Sequence, residues 1–372
     1  MSLNRKTILS VILLTIETSA FAAHLVPATS SGFAYTGRTS HTYKPGAVAW
    51  TYPGVQIRCT FSGTSVQMKT NPDCGYFMVE IDSMAPHKVQ VMKGSNITLL
   101  GKDLPEGEHS LTLTYLIEGH AKKPTFYGLL LDDGCDLGER PVLPERRIEF
   151  IGNSITCGYG NEGLNKNDHF DYATENHYYS YASITARNLE AQHWVVARSG
   201  IGAYRNYGEP KTGSPGSCMP VQYEYTGYAW NPDFRNQPTL LGEKWDFSRY
   251  QPDVICINLG TNDLSTNNYD LQLLRLGYQK LLKMAREHNP KAKIVFLTGS
   301  MLYNQELQEA KQLLDEIAAE ARKSGDKEVY RFDIAPISGE EFYGNDWHPN
   351  IYQDEKMASE LTAYLRQLMG WY

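Results

Sequence analysis

The hydrophobic period of this 372-residue chain changes once, near residue 145, and that change limits what each part can fold into. From about Phe33 to Asp133 apolar and polar residues alternate in short runs, as in Val55-Gln56-Ile57-Arg58-Cys59-Thr60-Phe61 and Ser110-Leu111-Thr112-Leu113-Thr114-Tyr115. Further runs lie at 65–69, 76–81, 89–92 and 125–131, and Pro53-Gly54, Asn71-Pro72-Asp73, Lys93-Gly94 and Glu106-Gly107 punctuate them. Period-two runs at this spacing predict a β-sandwich or barrel. Beyond Pro141-Val142-Leu143-Pro144, which reads as a linker, strand patterns at 147–151, 193–197, 253–259, 293–297 and 329–333 alternate with helical patterns. The helices are expected at 178–191, 270–288, 306–324 and 353–369. Such alternation predicts an α/β unit with a parallel sheet and helices on both faces. The expected division is 1–23, 24–140 and 145–372.

The first of these segments reads as an export signal. Arg5 and Lys6 precede an apolar run over 8–16, and Ala20-Phe21-Ala22 offers small residues for cleavage near Ala22/Ala23. The run is too short to span a bilayer, and no other apolar stretch is long enough. The net charge is −7 with no basic cluster, which argues against a nucleic-acid partner. Six cysteines (59, 74, 135, 157, 218 and 256) lack metal-ligand spacing, so zinc is not expected. In an exported chain Cys59–Cys74 and Cys157–Cys218 are candidate disulfides, and Cys256, inside an apolar strand, reads as a buried thiol.

A parallel sheet gathers the carboxyl ends of its strands on one edge, where open α/β sheets place their chemistry. Four turns of this chain belong there. The first strand runs into Gly152-Asn153-Ser154, the second into Arg198-Ser199-Gly200-Ile201-Gly202, and the third into Gly260-Thr261-Asn262-Asp263. Asp346-Trp347-His348-Pro349 follows the fifth. Each also has a plain structural reading, as turn glycines, a helix cap or a loop histidine. Their joint occurrence on one edge points to nucleophilic catalysis. A serine hydroxyl needs a base within hydrogen-bond reach, and His348 is the candidate for Ser154. Acyl transfer also needs donors aimed at the developing oxyanion, which the Ser154 and Gly200 N–H groups and the Asn262 amide can supply. Tyr159, Trp347 and Trp230 are candidate substrate-binding aromatics. The long Gly-, Pro-, Tyr- and Asn-rich connection over 200–250 is of a length that is usually functional.

With these blocks in place, the chain resembles the SGNH (GDSL-like) hydrolases through Gly152-Asn153-Ser154, Gly200, Gly260-Thr261-Asn262-Asp263 and His348. The β-patterned first half, 151–160, 258–263 and Asp346-Trp347-His348-Pro349 together resemble carbohydrate esterase family 2. The resemblance implies a jelly-roll sandwich ahead of a flavodoxin-like hydrolase domain. It further implies an exported, monomeric, cofactor-free serine esterase that deacetylates plant cell-wall polysaccharide, either xylan or 6-O-acetylated mannan and glucomannan. Two positions depart from the broad superfamily pattern. Asn153 stands where an acid is usual, and Asn345, not an aspartate, lies three residues before His348. Asp346, two residues before, is therefore the candidate third member, with a Ser–His dyad oriented by main-chain carbonyls as the alternative. Other readings are an SGNH esterase for a lipid, aryl or sialic acid ester, and a carbohydrate-binding protein with an inactive hydrolase domain.

Overall fold

The computed structural model describes residues 23–228 and 242–372; the 1–22 part of the expected export signal and Trp230 lie outside the described residues. The strands of the first half are β1 (Ala23–Pro27), β2 (Ala34–Thr36), β3 (Val48–Ala49), β4 (Gln56–Ser62), β5 (Val66–Thr70), β6 (Gly75–Ile81), β7 (His87–Val91), β8 (Ile97–Gly101), β9 (Glu108–Tyr115) and β10 (Thr125–Asp132). They form two antiparallel sheets, ordered β1-β10-β5-β8 with β3 also on β10, and β2-β4-β9-β6-β7. Alternate residues of each strand face the other sheet. Val66, Met68, Leu129 and Leu131 from one sheet share a core with Ile57, Phe61, Val79 and Leu113 from the other. The expected sandwich is thus present, and it begins ten residues earlier than the alternation at Phe33 suggests, because β1 pairs with β10 from Ala23↔Asp132 onward.

The second half contains β11 (Arg146–Gly152), α1 (Ser154–Cys157), α2 (Tyr181–Asn188), β12 (Ala191–Ala197), α3 (Met219–Gln222), β13 (Val254–Asn258), α4 (Leu271–His288), β14 (Lys293–Thr298), α5 (Asn304–Lys323), β15 (Val329–Asp333) and α6 (Ile351–Met369). Its five strands are parallel in the order β12-β11-β13-β14-β15, the flavodoxin-like arrangement. Ile255 and Ile257 of β13 face α4 and α5 through Leu274, Leu281 and Ile317. Val254 and Cys256 face the other way, onto Tyr181 of α2 and Met357 and Leu361 of α6. Helix starts follow their caps. Asp270 accepts from the Gln272 and Leu273 N–H groups at the start of α4, and Asn350 accepts from Gln353 N–H at the start of α6. The helix expected over 178–191 is shorter at both ends. Asn176 caps a separate single turn over His177–Tyr179, Ser180 caps α2 anew, and Glu190 takes a left-handed φ of 51°.

Neither candidate disulfide is formed; all six cysteines are free. Strand β9 lies between Cys59 on β4 and the β6 strand that Cys74 precedes, with Cys59 opposite Leu111. Two strand spacings, about 10 Å, exceed the reach of a disulfide. Cys218 instead donates its thiol to Ser214 O at 3.3 Å, and Cys157 is buried against Val195 and Ala197. Cys256 is fully buried, as its strand setting implies.

The two halves meet through charged groups as well as apolar ones. Glu149 sits inside β11, where both sheet faces are covered, and Arg38 between β2 and β3 reaches it at 3.2 Å with both side chains buried. Arg38 also donates to Tyr223 O and to Tyr225 O at 3.0 Å, and Tyr223 Oη donates to Glu149 at 2.7 Å. Removing one partner of such a pair strands a charge in a dry interior. Arg38→Ala is therefore expected to lower unfolding free energy by about 3–5 kcal/mol, read as a shift of the urea midpoint at unchanged slope.

Candidate active site

Parallel pairing sets Gly152 of β11 level with Ala197 of β12 and Asn258 of β13, so the turns leaving these strands emerge side by side. The first turn is pinned by Asn153, whose Oδ1 accepts from Ile155 N–H at 3.1 Å. That cap starts α1 at Ser154 and leaves the hydroxyl at the mouth of a cleft of about 750 Å³. Ser154, Tyr159, Gly200, Asn262, Asp346, Trp347 and His348 all line this cleft. Of the sequence-predicted site residues that are described, the fold therefore brings every one to the same cavity.

His348 Nε2 lies 2.8 Å from Ser154 Oγ. Its Nδ1 lies 2.9 Å from the main-chain carbonyl of Asp346. A carbonyl only accepts, so Nδ1 carries the proton and Nε2 is left to accept from the serine hydroxyl. The Asp346 carboxylate does not take the place of a third catalytic member. It points away from the imidazole and accepts from Tyr159 Oη at 3.0 Å, Phe170 N–H at 2.9 Å and His169 Nδ1 at 3.0 Å. Burial pushes this carboxyl up, but the bonds from His169, Phe170 and Tyr159 outweigh it and hold its pKa below the usual value. The physical reason for the arrangement is backbone shape. Asp346 and Trp347 both have left-handed φ, 47° and 63°, which turns the carbonyl inward and the side chain outward. Two carbonyls of the 166–168 loop hold this uncommon geometry in place: Asp346 N–H donates to Asp168 O at 3.0 Å and Trp347 N–H to Lys166 O at 3.2 Å.

The oxyanion candidates are organised by Asp263. Its buried carboxylate accepts from the N–H groups of Ala203, Tyr204 and Arg205 at 2.9–3.1 Å, clasping the loop after β12 to the loop after β13. Burial raises the Asp263 pKa, opposed by those three N–H groups. Asn262 Nδ2 donates one proton to Ile201 O at 2.8 Å, leaving its second N–H for the cleft. Gly200 adopts φ 76°, which favours glycine, and a Cβ on Gly202 would fall 2.0 Å from Arg205 O, which leaves no room for a side chain. No hydrogen bond within the described residues takes up the N–H of Ser154 or of Gly200.

Trp347 is 51% exposed, with the Lys166 ammonium 4.1 Å over its ring. Tyr159 is less a wall than a support: its ring lies 4.3 Å from that of His348 and stacks on Phe170 at 4.1 Å. Tyr207, 66% exposed at the cleft rim, has no individual sequence signal beyond lying in the long 200–250 connection. Tyr204 and Tyr228 of that connection are buried.

The sequence profile of the carbohydrate esterase 2 N-terminal family matches residues 35–141, and that of the GDSL-like lipase/acylhydrolase family matches 150–354. A family two carbohydrate esterase from Clostridium thermocellum, solved in complex with cellohexaose, is 34% identical, with a TM-score of 0.81 over 92% of this chain and 100% of that one. The chain belongs to carbohydrate esterase family 2. It is thereby a carboxylic ester hydrolase. The cellulase/esterase CelE of Acetivibrio thermocellus is 36% identical over 91% of this chain, which spans only 40% of that relative's length. An acetylxylan esterase/glucomannan deacetylase of Cellvibrio japonicus is 27% identical over 88% of each chain.

Two outcomes are expected of this family 2 site. Although one edge of the His348 ring opens on the cleft, burial pushes the imidazole down to about 4, against the Asp346 carbonyl and charge, which raise it. A base is lost when it protonates, so activity falls as pH drops through that value. The acid limb of kcat/KM, measured with p-nitrophenyl acetate, should lie well below the ordinary histidine pKa of about 6.5. Asp346→Asn keeps the carbonyl, so kcat should fall by about tenfold or less, not the roughly 10⁴-fold that follows loss of a triad carboxylate.

Proposed function

We propose that this esterase removes O-acetyl groups from a plant cell-wall polysaccharide by a Ser154–His348 acyl-enzyme mechanism. The observation that carries the reading is the 2.8 Å Ser154–His348 contact with Nδ1 held by a carbonyl. Ser154 Oγ attacks the acetyl carbonyl as His348 Nε2 takes its proton. The oxyanion is met by the N–H groups of Ser154 and Gly200 and by the Asn262 amide. Collapse of the tetrahedral adduct expels the sugar oxygen, which leaves as the hydroxyl with the proton returned from His348. Water, deprotonated by the same nitrogen, then attacks the acyl-serine and releases acetate. The exposed Trp347 ring presents a flat apolar face suited to a pyranose. The substrate class, acetylated xylan or 6-O-acetylated mannan and glucomannan, is supported by the acetylxylan esterase/glucomannan deacetylase relative. We also assign 1–23 to an export signal, 24–140 to the sandwich and 145–372 to the hydrolase unit.

Acetate release from acetylated xylan and acetylated glucomannan, with positional analysis of the remaining esters, tests the substrate. Release from p-nitrophenyl acetate but from neither polysaccharide would replace this reading with an esterase for another small acyl ester. Ser154→Ala should lower kcat by at least about 10³-fold; activity near the parent level would remove the mechanism.

A further inference from the structure

The loop that carries Gly200 is held from outside the hydrolase unit. Glu118 lies beyond the end of β9, in the sandwich, and is 3% exposed. Its Oε1 accepts from Ser199 N–H at 2.8 Å and from Tyr228 Oη at 2.7 Å, and its Oε2 accepts from the Ser199 hydroxyl. Ser199 is the residue immediately before Gly200 and itself lines the cleft. Both of its donors therefore end on one carboxylate of the other half of the molecule.

Glu118 N–H in turn donates to Glu175 Oε2 at 3.1 Å, on the loop that leads to the Asn176 cap. Burial, and then the Glu118 charge beside it, push the Glu175 carboxyl well above the usual range. Cys157, three residues after Ser154, completes a buried cluster whose ligand-type atoms lie within 4.8 Å of one another. Because both Glu118 oxygens are already occupied by donors, this cluster acts as a hydrogen-bond hub beneath the catalytic turn. The Ser199 N–H belongs to the Arg198–Ser199 peptide, so these bonds fix that peptide and the Ser199 Cα and Cβ, the anchor from which the next peptide, carrying the Gly200 N–H, extends.

We propose that Glu118 is a positioning residue for the reaction: a sandwich side chain that anchors Ser199 and so holds in place the loop carrying one oxyanion donor, the Gly200 N–H. The inference rests on the acyl-enzyme reading of the site. A donor that is misdirected costs transition-state stabilisation and little ground-state binding. Glu118→Gln replaces an acceptor oxygen by an amide donor facing Ser199 or Tyr228. With p-nitrophenyl acetate it should lower kcat by about tenfold or more, leaving KM within about twofold. Affinity for methylboronic acid, whose serine adduct mimics the tetrahedral species, should weaken in proportion to kcat.

A purely structural role would lower the melting temperature but leave kcat per folded molecule and boronate affinity unchanged, and that result overturns the proposal. Ser199→Ala deletes the hydroxyl donor to Glu118 Oε2 while keeping the main-chain N–H bond to Oε1. It should reproduce part of the kcat loss and be non-additive with Glu118→Gln; full additivity would also overturn the assignment. If Glu118→Gln does not fold, Ser199→Ala alone must lower kcat with KM unchanged, and parent-like kcat would refute the role. Amide exchange supplies a reading that does not depend on turnover. Glu118→Gln should speed exchange at the Ser199 amide selectively, even in a protein inactive on every ester, and unchanged protection there would likewise refute the role.

Discussion

A charged carboxylate in the interior of a parallel sheet is a liability that the rest of the fold must answer. Glu149 occupies the centre of β11, the strand that ends at the nucleophile, and Arg38 of the sandwich answers it. The guanidinium is itself held by two main-chain carbonyls of the segment after α3, so sandwich, sheet and connection are joined at one buried point. The hydrolase unit is consequently not electrostatically complete alone. Its first strand exposes an uncompensated acid unless the sandwich is docked. That dependence gives the sandwich a role apart from any sugar contact: it neutralises the sheet and, through Glu118, braces the loop that faces the ester.

The catalytic edge shows how few residues need to be reactive and how many hold them. Ser154 and His348 make one contact between them, while Asn153, Asp263, Tyr159 and Phe170 each fix a turn or a ring. Asp263 is the clearest case. Three N–H groups converge on it in a dry setting, and this binds two strand-end loops into one rigid rim. Asp346 is the converse. Its carboxylate is spent on the loop over 159–170, and its carbonyl serves the base.

Much of this was open to reading from residue order. Strand ends and long helices carry strong periodic signals, and the four turns fall on one edge once the sheet is known to be parallel. Ser154, Gly200, Asn262 and His348 could be singled out on that ground. Features made by tertiary approach were not legible. Whether Asp346 offers a carboxylate or a carbonyl depends on two left-handed dihedrals that no composition rule supplies. Cys59 and Cys74 look like neighbours in sequence, but β9 intervenes. Glu118 sits in an ordinary Ile-Glu-Gly turn, and nothing local marks it as the partner of a loop 81 residues away. The short strands β2 and β3 escaped for a simpler reason, since two or three residues cannot establish a period.

The depressed basicity of His348 has a consequence for how the protein behaves over time. Every carboxylic ester that is hydrolysed releases an acid. A general base of ordinary strength would be silenced by its own output. Here the nitrogen facing Ser154 gives up its proton about as readily as a simple carboxylic acid does. A base shifted in this direction stays unprotonated further into the acid range than an ordinary histidine, so the acid released by each turnover silences it later.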